Sequence, residues 1–564
     1  MRKWIALVGV LTFAAAIWRL LPPPARLLPG DAAADAPPRG AVHVHTRRSD
    51  GSGTVDQIAA AAAAAGLRFV ILTDHGDGLR SPESPSYRYG VLCIDGLEVS
   101  TTGGHVVALG LETRTPYRLG GDPGDVVEDL RRLGAMSIAA HPGSVKSELN
   151  WQDWDVPVDA LEWMNVDSEW RNEPPASLAR ALLTYPFRKA ETIAALFDRP
   201  DSILARWDTL TQQRPVIALA APDAHASMGI GRWSNPYGDR SPLAIPGYRQ
   251  VFGALSMTLP ELALSGDPYA DARAVISEIR RGRLYSSIDA IATPARLTFT
   301  AASATSTVVP GGTLHPSGPA SFVVRTNAPT GSRIHLLRNG TSVKSAAGDT
   351  LEHHGAAAPG AYRVEVQVPG AAGRPPVPWI VSNPIYVGPF DAPRRHQHPP
   401  ATRAAVQYGN GPIASEWGVE SSHHSQSVLD VVPTLEGSTL FWRFALGGSQ
   451  ADSPYTAIVR RADPGMGEYD RIVFSARASR PMRLWVQLRT RTPGGSADWK
   501  RSVYLDETMR QFVVPFAEMR AAVAGQETME ERPEVDSMLW VIDPVHTPLG
   551  TAGQVWLDDV KYVR

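Results

Sequence analysis

AVHVHTRRSDG, residues 41–51, reads as a short strand from Ala41 to His45 that breaks into a polar turn ending in Asp50 and Gly51. Side chains two apart on a strand share a face, so His43 and His45 project together, and Asp50 folds back toward them. Two imidazoles and a carboxylate at a strand end are the beginning of a metal site. Taken alone, the same stretch also reads as two surface histidines before a Ser-Asp-Gly turn. The following 240 or so residues decide between the two.

Downstream, short apolar runs alternate with helix-like segments. Thr54 and Gln57 make a capping box ahead of an alanine run that stops at Gly66. FVILTDHGDG carries a buried strand from Phe69 to Leu72 opening at Asp74 and His75. GVLCIDGLEVST leads to Glu98, and HVVALG begins at His105. SIAAHPG ends at His141, ALEWMN spans 160–165, and PVIALAAPDAH ends at Asp223 and His225. Helical patterns occupy the intervals around 125–133, 177–186, 202–213 and 271–281. Strands alternating with helices predict βαβ units, and six or seven of them predict a closed barrel with its chemistry at the strand carboxyl ends.

Of fifteen histidines, the six before residue 290 (His43, His45, His75, His105, His141 and His225) all sit at a strand edge beside a turn or carboxylate. Asp50, Glu98 and Asp223 occupy the same kind of position. Neutral imidazoles with carboxylates suit a catalytic metal site. Nine such groups suffice for three ions if a carboxylate bridges. Basic residues near the motifs (Arg47, Arg48, Lys146 and Arg232) are candidates to hold an anion, and Asn165 is a candidate substrate contact. Asp74 reads as a turn-holding neighbour of His75.

These motifs, in this order, resemble the polymerase-and-histidinol-phosphatase (PHP) superfamily over about residues 40–292. The resemblance implies an α/β fold, a distorted (β/α)7 barrel with a trinuclear centre, and hydrolysis of phosphate mono- or diesters. It implies His43, His45, Glu98 and Asp223 as one metal set, Glu98, His105 and His141 as a second, and Asp50, His75 and His225 as a third. Glu98, Asp223 and His225 then carry catalysis, with a metal-bound hydroxide attacking phosphorus. The ions are divalent, three of them, and manganese, iron or zinc all suit the ligands.

The rest of the chain sets the context. At 564 residues it exceeds one core. A net charge of -2 leaves no basic footprint for nucleic acid. The one cysteine, Cys93, lies in an apolar setting that predicts a buried, inert thiol. Arg2 and Lys3 precede a largely apolar run from Trp4 to Trp18, which reads as a secretory signal or a retained membrane anchor, followed by a Pro/Ala-rich tether to residue 39. The run is short beside the ~20 residues of a full span. Both readings put the protein outside the cytoplasm. The segment around 232–242 predicts a loop over the barrel mouth.

Residues 293–390 predict an immunoglobulin-like β-sandwich, with His353 and His354 in a loop, and 391–403 a linker. Residues 404–564 resemble a jelly-roll of the galactose-binding type. Trp442, Trp485, Trp499, Trp540 and Trp556 are its candidate sugar-stacking residues, Trp499 being the expected exposed one, for a cell-envelope glycan. Two other readings remain open: an amidohydrolase-like hydrolase of C–N or C–O bonds, and a glycan-binding envelope protein with a scaffold barrel. No Gly-x-Ser-x-Gly elbow or phosphate-cradling Gly-Lys-Ser/Thr loop is present.

Overall fold

The computed structural model describes residues 17–29, 36–226, 245–316, 318–388, 406–408, 417–434, 437–461, 469–492, 495–522 and 534–564, with Trp4 and Leu11. Arg232, the rest of the 232–242 segment, the linker and most of the N-terminal run lie outside these. Among the described residues, no helix is long and apolar enough to cross a membrane. Contacts divide the chain into two compact units, one of residues 1–77, 81–113 and 122–394, the other of residues 78–80, 114–121 and 395–564.

The first unit begins with β1 (Arg39–Val42), α1 (Val55–Ala64), β2 (Phe69–Leu72), β3 (Val91–Asp95), β4 (Leu97–Thr101), β5 (Gly104–Leu109), α2 (Pro123–Arg132) and β6 (Met136–Ala139). It continues through β7 (Ala160–Asn165), α3 (Val166–Arg171), α4 (Pro175–Thr184), α5 (Lys189–Ala194), α6 (Asp201–Leu210) and β8 (Ile217–Ala221). Then come α7 (Tyr248–Phe252), β9 (Ser256–Thr258), α8 (Pro268–Arg280) and β10 (Tyr285–Ser287). The capping box at Thr54 and Gln57 forms as the sequence predicts. The strands are rich in buried apolar residues because both faces are covered; Val42, Phe69, Ile71, Val107, Ile138 and Leu219 share one core.

A closed (β/α)7 ring is not found among the described residues. Instead, β8–β7–β6–β5–β4 form one sheet and β10–β9–β1–β2–β3 belong to another. β5 runs antiparallel to both β4 and β6, and β9 antiparallel to both β1 and β10, so two strands interrupt the parallel βαβ pairing. Among the described residues, the sheets meet at the carboxyl ends through two isolated bridges, Val44 with Ala224 and His75 with Glu98. The ladders stop there because the backbone turns left-handed: φ is 71° at His43, 50° at His141 and 43° at Asp223. Such conformations are costly for residues other than glycine and gather at functional sites.

The β-sandwich is part of the same unit. Its strands are β11 (Leu297–Ala302), β12 (Pro319–Thr326), β13 (Arg333–Arg338), β14 (Thr341–Ala347), β15 (Thr350–Ala356), β16 (Gly360–Gln367), β17 (Ile380–Ser382) and β18 (Ile385–Val387); β11 and β12 alternate buried and open positions, β14 is mostly exposed, and β16 to β18 are mostly buried. His353 and His354 lie on β15, not in a loop. β17 pairs antiparallel with β10, so the sandwich and the N-terminal strand array share one sheet.

The second unit holds two mainly antiparallel sheets around a core that includes Trp442, Trp499 and Trp540. Trp499 is only 5% exposed, contrary to expectation: it sits mid-hairpin opposite Leu488, and strand alternation turns it inward. Trp485 is buried as well. The half-exposed tryptophan is Trp556, its ring centroid 5.1 Å from that of Phe441.

Candidate metal centre

All nine residues singled out in the sequence converge at the carboxyl ends of β1, β2, β6 and β8 and at the β4–β5 hairpin. Their convergence does not come from the pleat. β1 ends at Val42, and the kink at His43 brings its ring within 5.1 Å of that of His45. His43 Nε2 lies 3.3 Å from both Glu98 Oε2 and Asp223 Oδ1; His45 Nε2 lies 3.2 and 3.4 Å from the same two oxygens. These four buried atoms have no hydrogen-bond partner. Buried polar groups are normally satisfied, so four that face one point and not each other fit a cation between them. Ligands about 2.0–2.1 Å from a tetrahedral ion lie about 3.3–3.4 Å apart. The four separations match that spacing.

Glu98 divides its oxygens. Oε2 faces His43 and His45, while Oε1 stands 2.8 Å from both His105 Nδ1 and His141 Nε2. A third group gathers at Asp50, whose Oδ2 is 3.3 Å from His225 Nε2 and 3.6 Å from His75 Nε2. One potential ligand atom from each of His45, Asp50, His75 and His225 falls within 4.8 Å of the others, as also for His43, His141 and Asp223. His45 and His225 stack at 4.1 Å.

Charge is concentrated among groups that are mostly buried. Burial opposes the imidazolium of His45, but Asp223 and Glu98 outweigh it and hold the group at about 10. Burial likewise opposes, and Asp223 and Glu98 overcome, at His141, also about 10. Burial would raise Glu98 and Asp223, yet the surrounding imidazoles keep both well below the usual carboxylate range. Proton and divalent cation compete for these nitrogens, so metal uptake releases protons.

The sequence reading missed Glu162. This carboxylate, buried on the apolar β7, lies 2.5 Å from His43 Nδ1 and accepts the backbone N–H of His141 at 3.0 Å. It thereby aims the other nitrogen of His43 into the site. The signal was available: ALEWMN buries a carboxylate in an otherwise apolar strand. Asn165 Nδ2 donates to Glu162 Oε2 at 2.8 Å and sits 3.3 Å from His141 Nδ1, while its carbonyl caps α3. It positions the site's residues and is committed to them. Replacing Glu162 by Gln is expected to weaken metal affinity ~10–100-fold with little change in melting temperature, read by competition with a fluorescent chelator.

The described candidates for holding an anion have these surroundings. The Arg48 guanidinium pairs with Asp74 at 2.9 Å, Glu83 at 2.8 Å and Asp95 at 2.6 Å, and so braces the turn after His45. Asp74 also accepts from Thr46 N at 2.7 Å and Ser49 Oγ at 2.7 Å. Arg47 bonds the carbonyl of Ser52. Lys146 is half-buried, and burial together with Arg171 depresses its ammonium. Arg171, which the sequence reading passed over, is clamped by Asp167 at 2.6 and 3.0 Å and feels the charges of Asp223 and Asp50. Beside it a cleft of about 320 Å³, counting its open mouth, is lined by Asp167, Trp170, Asp223 and His225. Cys93 is buried, which pushes its thiol up to about 11.

On the same α3 helix, burial raises Glu169 to about 7. A raised folded-state value favours the fold below the unfolded value of 4.5 and loses that advantage as pH climbs through 7. Glu169→Gln should therefore stabilise the protein above pH 7 by up to about 3 kcal/mol and make no difference near pH 4. Calorimetry at pH 4.5 and 8 checks the crossover.

No family model matches the chain. Over 122 residues it is 30% identical to a 3',5'-nucleoside bisphosphate phosphatase of Chromobacterium violaceum, covering 20% of this chain and 43% of that protein. Over 104 residues it is 29% identical to an uncharacterized protein of Methanocaldococcus jannaschii, covering 18% of this chain and 60% of that one. The chain thus spans about half the length of these relatives. Among solved structures, a family 11 carbohydrate-binding module of a Clostridium thermocellum cellulase aligns at 14% identity and a TM-score of 0.24, covering 28% of this chain and 94% of that one. A family 30 module from the same organism aligns at 12% identity and a TM-score of 0.22, covering 28% and 96%. Likeness at these scores says nothing of what the second unit binds.

Proposed function

We propose that the chain is an exported or membrane-anchored metal-dependent phosphoesterase of the PHP type, its two-sheet strand array being a barrel opened at the ligand kinks. The observation that carries this reading is the quartet His43 Nε2, His45 Nε2, Glu98 Oε2 and Asp223 Oδ1, buried, mutually spaced as ligands and without hydrogen bonds. The partial identity to a named phosphatase supports the choice of phosphate esters over C–N or C–O bonds.

His43, His45, Glu98 and Asp223 would hold one divalent ion, Glu98 with His105 and His141 a second, and Asp50, His75 and His225 a third. Bound ions supply Lewis acidity toward water and phosphoryl oxygens. Glu162 and Asn165 keep the His43 and His141 rings in register. Asp74 and Arg48 fix the turn that carries Asp50. Arg171 adds a cation near the cleft, suited to steering a phosphate toward His225. The cleft's Trp170 and Val166 offer an apolar wall for the alcohol side of the ester. Metal analysis of the purified chain, with turnover of p-nitrophenyl phosphate and its bis ester, tests the reading; a protein that takes up manganese or zinc yet cleaves neither ester would refute it.

For the second unit, a glycan partner is favoured by Phe441 and Trp556, adjacent across paired strands on the side away from the core and flanked by Arg443, Gln554 and Asp430.

A further inference from the structure

Leu182 and Leu183 on α4 and Phe187 just beyond it are 64%, 49% and 62% exposed, with Pro186 open between them. Single exposed apolar side chains are ordinary, but a contiguous patch marks an interaction surface. The N-terminal segment arrives at these same helices. Arg180 Nε donates to the carbonyl of Leu20 at 3.0 Å, Arg188 donates to that of Pro22, and Ala25 N–H donates to Glu191 Oε1 at 3.3 Å. The Arg188 guanidinium also lies 5.6 Å from the ring of Trp18, itself 72% exposed. Upstream the sequence is the largely apolar run from Trp4; of its described residues Trp4, Leu11 and Trp18 are exposed, while Ile17 is buried. Arg19, Arg180 and Lys189 are exposed around the patch.

We propose that this patch docks on a lipid bilayer, Leu182, Leu183, Phe187 and Trp18 entering the interface and Arg19, Arg180, Arg188 and Lys189 meeting anionic headgroups. The inference rests on the reading that the N-terminal run inserts in the membrane. That run leaves the folded unit at the patch, so whatever solvent receives the run also lies beside the patch. Leucine and phenylalanine fit the acyl boundary, tryptophan the headgroup level, and arginine or lysine the anionic surface. A protein partner would explain the apolar residues, but not their junction with the apolar N-terminal run.

The test uses the full chain reconstituted in vesicles of phosphatidylcholine and phosphatidylglycerol. Cys93 is buried, so Phe187→Cys offers the accessible thiol for a bimane label, with Val343→Cys on β14 as the control. Lipids carrying a doxyl group high on the acyl chain should quench the 187 label roughly two-fold, given insertion of about 5–10 Å, and leave the 343 label unchanged. If the protein floats with the vesicles while both labels stay bright, the patch faces elsewhere and the proposal falls, although the anchor survives. If the protein does not float, anchor and docking fall together.

Discussion

Glu98→Gln and Asp223→Asn are expected to abolish phosphoester turnover and to leave the purified protein with substantially less metal. Both changes keep side-chain shape while removing a charge, so packing around the site should survive. The choice at 223 matters: φ there is 43°, a conformation that asparagine tolerates better than alanine. Glu98 faces two groups of histidines through separate oxygens. Its amide cannot bridge two cations. The loss of affinity should exceed the ~10–100-fold expected when only an outer hydrogen-bond partner is removed. Metal stoichiometry by mass spectrometry and turnover of p-nitrophenyl phosphate before and after chelation check the result. Wild-type turnover in either variant would disprove the ligand assignment.

Much of the candidate centre was legible because its residues sit at strand ends, and strand ends are marked locally by turns. His43, His141 and Asp223 were found that way, though the left-handed backbone that aims two of those rings was not visible in a pattern of alternation. Glu162 escaped notice because its meaning depends on a partner 119 residues away. Arg48 shows the converse: a basic residue beside a metal motif suggests phosphate, and only the fold brings Asp74, Glu83 and Asp95 around it. Trp499 misled because a Gly-Gly-Ser approach reads as a loop, whereas it belongs to a long hairpin whose alternation buries the ring. The closed ring was over-read because helix–strand alternation does not reveal where a hairpin such as β4–β5 replaces a parallel crossover.

The junction between strand array and sandwich was likewise invisible, and it carries the second large effect. Arg363 on β16 is almost fully buried and donates from Nε and Nη2 to Asp208 Oδ1 and Oδ2, each at 2.7 Å, and from Nη1 to Glu365 Oε1 at 2.5 Å. Arg199 completes the network on Glu365. Burial disfavours the Arg363 charge, but the bonds to Asp208 more than restore it. Arg363→Ala strands the Asp208 carboxylate in the interior, Glu365 keeping Arg199, and is expected to cost about 3–5 kcal/mol, seen as a lower urea midpoint for the first unit. Because an unpaired buried charge is the source of the cost, Asp208→Leu combined with Arg363→Met should recover a good part of it, leaving Glu365 to Arg199. A double variant as unstable as Arg363→Ala would mean that the arginine acts through its packing on Trp207, 5.1 Å from the guanidinium, rather than through its charge.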